Sequence, residues 1–219
     1  MAQIYADSID GYITKSSSTW SGARDATIGS STSTTQHLNQ YAVRASRTMS
    51  GGRGSVTYTY HVTRSFFRFD TSGINHVPVD GNIYIYGATF VAADVVLVRA
   101  KHGALWGTGE FDSIPGWATG TNNVSNVRTY SDVLTTWSNS GYNNFTLTGE
   151  ALVDMVAYDS FQCCLIEYAY DLRNITPTSS ANYSGVWFRD EEDASNKDPY
   201  LQYSPGTDHN QSLMTGANF

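Results

Sequence analysis

Residues 190 to 198, DEEDASNKD, place Asp190, Glu191, Glu192, Asp193, Asn196 and Asp198 within one short stretch. Oxygen donors this dense have the chemistry of a calcium site, because calcium takes six to eight oxygens and often draws them from loops. Asp190, Glu191 and Asp193 are the candidate ligands, with Asp7 and Asp10 as a smaller second set. The EF-hand spacing is absent, so an acidic solvent-facing loop is the plainer alternative. A structural calcium stands as an option, and no cofactor is required.

Catalytic constellations are sparse. Asp112, Asp190, Glu191 and Glu192 have the right chemistry for acid–base attack on a glycosidic bond, but that needs a defined separation that sequence does not supply. There is no Gly-x-Ser-x-Gly elbow, no His-Glu-x-x-His and no phosphate-cradling glycine loop. His37, His61, His76, His102 and His209 show no metal-ligand spacing. The expectation is a protein that is not an enzyme. Exposed aromatics can instead stack on sugar rings, and Trp20, Trp106, Trp117, Tyr183 and Trp187 lie in or beside predicted loops. Each is a candidate ligand-binding residue, although most tryptophans of a β-sandwich pack its core.

The net charge is −7, with 13 Lys and Arg against 20 Asp and Glu, and no basic run occurs. Nucleic acid is therefore not an expected partner, since affinity for phosphate backbones comes from clustered Lys and Arg. Anionic membranes are disfavoured for the same reason. No apolar stretch reaches the length of a membrane span, so no membrane insertion is expected. The opening MAQIYADSIDGYI has neither a basic nor an apolar signal region, which is the expectation for a chain that is not exported. The adjacent Cys163 and Cys164 should point to opposite faces of a strand and cannot bridge each other.

Tyrosine, with 15 copies, outnumbers Trp and Phe together, and the chain is rich in Ser, Thr, Asn and Gly. That composition suits strands and turns. Alternation predicts strands over 4–15, 41–46, 55–62, 64–70, 81–91, 94–101, 160–171, 185–190 and 200–204. A hairpin is expected around Ser50–Gly54. Ile83 and Ile85 should face one side of their strand, Tyr84 and Tyr86 the other. Phe67 and Phe69 should be core, and Arg68 and Asp70 solvent-facing, able to pair with neighbouring strands or a second subunit. One short helix is expected over 149–158, with Leu152, Val153 and Val156 on a single face. The polar stretch 16–40 is too long for a plain connection and should carry some packed structure or reach a partner. The predicted class is all-β: a jelly-roll β-sandwich of two antiparallel sheets with one short helix. It should form a single domain over 1–204, with an inserted hairpin at about 30–63 and a tail over 205–219.

Several segments together resemble the DNRLRE-type β-sandwich family, related to carbohydrate-binding modules. SIDGYITKSSSTWSGARDATIGS, 8–30, is similar to its opening strand and small-residue loop. RSFFRFDTSGI, 64–74, resembles its Arg-Phe-Asp-turn pattern, and GNIYIYGATFV, 81–91, the strand that follows. WFRDEEDASNKDPYLQYS, 187–204, looks like its closing pattern, and Trp106 to Trp117 like its Trp-rich loop. The resemblance covers most of 8–204. The insertion over 30–63 is longer than is usual there, and the Trp-rich loop lacks the usual Thr-Trp-Asn.

The resemblance implies a jelly roll found on secreted carbohydrate-active proteins, cell surfaces and phage particles. Tyr-rich faces and a tail ending in apolar Leu213, Met214 and Phe219 suit assembly, with those three as candidate interface residues. The expected role is a virion structural protein, a capsid decoration or a tail or fibre subunit. Its expected partners are other virion proteins or copies of itself, and its expected location is the virion. The alternative is a carbohydrate-binding module that attaches a particle or cell surface to host glycan, and that version would be extracellular.

Overall fold

The computed structural model describes residues 1–33, 38–52, 54–91, 93–103, 107–188 and 196–207. Eleven strands form in chain order: β1 (Ala2–Tyr5), β2 (Gly11–Ser17), β3 (Ser31–Ser33), β4 (Leu38–Ser50), β5 (Thr57–Asp70) and β6 (Asp80–Val91), then β7 (Val95–Arg99), β8 (Tyr142–Thr146), β9 (Ser160–Glu167), β10 (Tyr183–Trp187) and β11 (Tyr200–Ser204). Helix α1 (Trp20–Arg24) falls in the polar stretch that was expected to pack, and α2 (Gly149–Ala157) falls where a helix was predicted. Thr19 caps α1 by accepting from the Gly22 amide at 3.2 Å, and Thr148 caps α2 from Ala151.

Every strand pairing is antiparallel. One layer runs β3-β2-β5-β9-β7 and the other β1-β11-β6-β8. The layers are also joined by hydrogen bonds. β4 pairs with β5 through Arg44–Ser50 and with β10 through Leu38–Arg44, and β10 then pairs with the far end of β6. The expected hairpin is therefore longer than drawn from sequence. Residues 55–62 and 64–70 belong to one strand, β5. The predicted opening strand divides into β1 and β2, with Ile9 in the turn between them.

Alternation puts one face of β5, β9 and β7 between the layers. There Phe67, Phe69, Cys163, Leu165, Val95 and Leu97 meet Ile83, Ile85, Phe145 and Leu201 from the opposite layer. Helix α2 closes this core with Ala151, Leu152 and Met155, while Val153 is 51% exposed, so the helix buries a different stripe from the one expected. The other face of the same strands is buried too. Val62, Phe66, Cys164, Ile166, Val96 and Val98 pack under α1, the 107–128 segment and Leu172. The two cysteines are free and sit in different cores, as their opposite facing requires.

This second core hides charge. Arg64 is fully buried, and its Nε and Nη2 each donate to the Asp171 carboxylate at 2.8 Å. Nη1 donates to the Phe111 carbonyl at 2.9 Å, and Nη2 also to the Arg24 carbonyl at 3.0 Å. Burial disfavours the charge, but the Asp171 carboxylate outweighs it and the Arg64 pKa is raised. Arg24, also fully buried, donates to the Asp171 and Thr121 carbonyls and pairs with Asp25. The Trp117 ring lies 4.1 Å from the Arg64 guanidinium and 4.4 Å from that of Arg24. Asp171 is presented by a π-helical turn over Tyr168–Leu172, whose amides at Ala169, Tyr170 and Asp171 donate to the Glu167 carboxylate. Burial pushes Glu167 up to about 7, against the pull of those amides.

His102, 3% exposed, stands edge-on to Phe66 at 5.6 Å beside this core. Burial holds its pKa below the usual 6.5, partly offset by the Phe67 and Gly103 backbone.

Removing one partner of a buried ion pair leaves the other uncompensated. Asp171→Asn is expected to cost about 3–5 kcal/mol in urea unfolding, and a cost near zero would show that Arg64 finds other partners. As pH falls below 6.5 the unfolded chain protonates His102 while the folded chain resists, so stability is lost in that window. The melting temperature should therefore drop more between pH 8 and pH 5 for the wild type than for His102→Gln. Parallel curves would contradict a buried neutral imidazole.

Candidate functional site

The outward face of β1, β11, β6 and β8 collects the residues best suited to recognition. Alternation along β6 buries Ile83 and Ile85 and turns Tyr84 and Tyr86 outward, as expected from sequence. Cross-strand register then builds rows. Tyr5, Tyr200, Tyr84 and Asn144 stand directly opposite one another across four strands. On one side lies the row Gln3, Gln202, Asn82 and Thr146; on the other lie Tyr86 and Tyr142. None of these ten positions carries a charge.

The five tyrosines pack on each other. Tyr84 stacks on Tyr200 at 4.7 Å and 17°, and Tyr142 meets Tyr84, Tyr86 and Tyr200 edge-on at 6.5, 5.2 and 5.1 Å. Tyr5 meets Tyr200 at 6.1 Å and is itself 52% exposed. Such pairs hold side chains in place before any partner arrives, which lowers the entropy cost of binding. Burial and the neighbouring Tyr200 and Asp198 push Tyr142 up to about 12, and its hydroxyl donates to the Asn196 carbonyl at 2.8 Å. Tyr86 donates to the Ser140 carbonyl at 2.7 Å. Lys197 reaches over the rim, 3.9 Å from the Trp187 ring and 5.3 Å from that of Tyr86. Ten positions of aromatic rings, amides and hydroxyls, with charge only at the rim from Lys197 and Asp198, can hydrogen-bond and bury apolar area.

The candidates drawn from sequence scatter around this face. Trp187 lies at its rim through Lys197, and Tyr183 packs edge-on to Tyr41 at 4.7 Å. Trp20 is 8% exposed and donates to the Asn174 side chain at 3.0 Å, so it serves the second core. Trp117 is clamped between the two buried guanidiniums. Trp106, Asp190, Glu191, Asp193, Leu213, Met214 and Phe219 lie outside the described residues. Among the described residues no three His, Cys, Asp or Glu side chains gather as a metal-holding group. Of the smaller acidic set, Asp7 pairs with Arg68 at 3.4 Å and Asp10 is fully buried. Arg68 thus pairs with a neighbouring segment as expected, while Asp70 accepts from the Ser72 amide and hydroxyl and shapes the following turn. No described helix is long and apolar enough to cross a membrane.

Comparison with known proteins finds no matching family model and no matching curated sequence. The tyrosine face rests on its own geometry. Sequence reasoning registered Tyr84 and Tyr86 but missed Tyr5, Tyr142 and Tyr200 as their neighbours, because strand register is not written in any one segment.

A double-mutant cycle on Tyr84→Ala and Tyr200→Ala is expected to return a coupling of about 0.5–1.5 kcal/mol. Additive costs would mean that the stacked pair does not act as a unit.

Proposed function

We propose that this chain is a structural protein of a phage particle, a capsid decoration or a tail or fibre subunit, that works through protein–protein contacts rather than catalysis. The observation that supports it is the uncharged tyrosine face. Tyrosine is enriched and charge depleted at the centres of protein interfaces. Rigid aromatic side chains bring large contact area at low entropy cost. The β4–β5 hairpin adds apolar surface beyond the sheet body, with Met49 70%, Val56 54% and Tyr58 39% exposed. The particle setting comes from the family resemblance in segments 8–30, 64–74, 81–91 and 187–204. The partners in this reading are copies of the chain or other virion proteins.

A second reading uses the same face. Ten outward positions without charge, half of them tyrosine and the rest Asn, Gln and Thr, also suit a neutral glycan, with rings against sugar faces and amides on hydroxyls.

Light scattering after size exclusion, run over a range of concentrations, separates these readings when combined with a glycan array. Assembly that Tyr5→Ser with Tyr200→Ser abolishes is the expected result. A wild type that stays monomeric, and that binds array glycans through the same tyrosines, would replace the first reading with the second. A monomer silent on the array would remove the glycan reading and self-assembly, and leave other virion proteins as the partners.

A further inference from the structure

The β5 side chains that alternate with Phe69 and Phe67 on one face turn polar toward the start of the strand, at Thr63 and His61. Register places Thr14 and Ser16 of β2 on one side of them and Arg44 and Ser46 of β4 on the other. A cleft of about 240 Å³ opens over these rows, with Tyr12, Asn39 and Tyr41 also in its walls. It shares no residue with the tyrosine face, and no carboxylate lines it among the described residues.

Arg44 is the fixed cation of the cleft. Its Nε donates to the Ser46 hydroxyl at 2.5 Å, and its guanidinium lies 5.0 Å from the Tyr41 ring. Nη1 and Nη2 have no acceptor among the described residues. The fully buried Arg24 and Arg64 meet Asp25 and Asp171, Arg68 meets Asp7, and Arg99 and Arg128 meet Asp154. Half-buried Arg44 meets no acid, and its desolvation goes uncompensated by one. A guanidinium with two outer nitrogens idle is the donor pair for bidentate recognition of an oxyanion. Lys15 stands opposite Val62 and so turns to the other side of the sheet. A single fixed charge matches a carboxylate better than a phosphate dianion.

His61 couples the cleft to protons. Its Nδ1 meets the Ser16 hydroxyl and its Nε2 the Thr48 hydroxyl, both at 2.9 Å. Thr48 donates to the Thr59 carbonyl at 3.4 Å, so Nε2 carries the hydrogen and Nδ1 accepts from Ser16. Burial, and then repulsion from Arg44, hold the His61 pKa below the usual 6.5. An anion on Arg44 would cancel that repulsion. A proton could then enter at Nδ1, and the Ser16 hydrogen would be released toward the cleft. We propose that this cleft binds a carboxylate, held by Nη1 and Nη2 of Arg44 and backed by the Ser16 hydroxyl when His61 is protonated. Its source is a free organic acid or an Asp or Glu side chain of a second copy. The site stands whether or not the tyrosine face docks a protein.

Proton NMR of His61 in the full chain, titrated with acetate, tests it. Sodium chloride at equal ionic strength and inorganic phosphate are the comparison probes. Acetate should saturate and raise the His61 pKa by about half a unit, which corresponds to binding the protonated form about threefold tighter than the neutral one. Arg44→Gln should lose the acetate response and raise the His61 pKa of the free protein. Ser16 is exposed, so Ser16→Ala should fold; it should keep acetate binding at pH 7.5 and tighten less at pH 5.5. A response that does not saturate, an equal response to chloride, or unchanged acetate affinity in Arg44→Gln overturns the proposal. So does phosphate that binds tighter than acetate. Light scattering separates the sources: weaker self-association in Arg44→Gln assigns the carboxylate to a second copy, and unchanged association assigns it to a free acid.

Discussion

A guanidinium sealed away from water sets the terms for half of this protein. β5 is buried on both faces, so one of its two alternating sets of side chains must lie under α1 and the 107–128 segment. Arg64 belongs to that set, and an unpaired charge there would cost several kcal/mol. Asp171 supplies the counter-charge, and the carbonyls of Phe111 and Arg24 take the remaining donors. Three segments far apart in sequence are thereby held to one strand. Trp117, between two guanidiniums, completes the clamp.

With its inner layer fixed this way, the sandwich is free to specialise on its outer one. The layer β1-β11-β6-β8 needs only its inward side chains for the core, where Ile83, Ile85, Phe145 and Leu201 sit. Its outward positions are released from packing duty and carry tyrosine, Asn, Gln and Thr. Mutual ring contacts make that surface rigid, and a rigid surface loses little entropy on binding. Near the end of α2, Asp154, on the buried side of the helix, is met by Arg128 and Arg99 from neighbouring segments.

Much of the fold was legible in the chain. Alternation in NIYIY, the turn at Ser50–Gly54 and the adjacent cysteines each predict a local facing, and each holds in the structure. The candidate sites were less legible. Aromatic residues near loops look alike in sequence whether they bind or pack, and Trp20 and Trp117 pack. Val153 looked like part of an apolar stripe on α2, yet Met155 and Ala151 take the core side. In RSFFRFDTSG the eye falls on Arg68 and Asp70, but the charge that the fold depends on is Arg64, at the start of the same stretch.

The sequence alone determined the all-β class, the period-two strands and the side chains that each strand turns to opposite faces, since these follow from bond geometry within a few residues. Only the tertiary structure decided which faces were buried, which tyrosines became neighbours and which buried charges met. Those outcomes depend on register between strands distant in the chain, and a shift of one residue would exchange every inward side chain for an outward one.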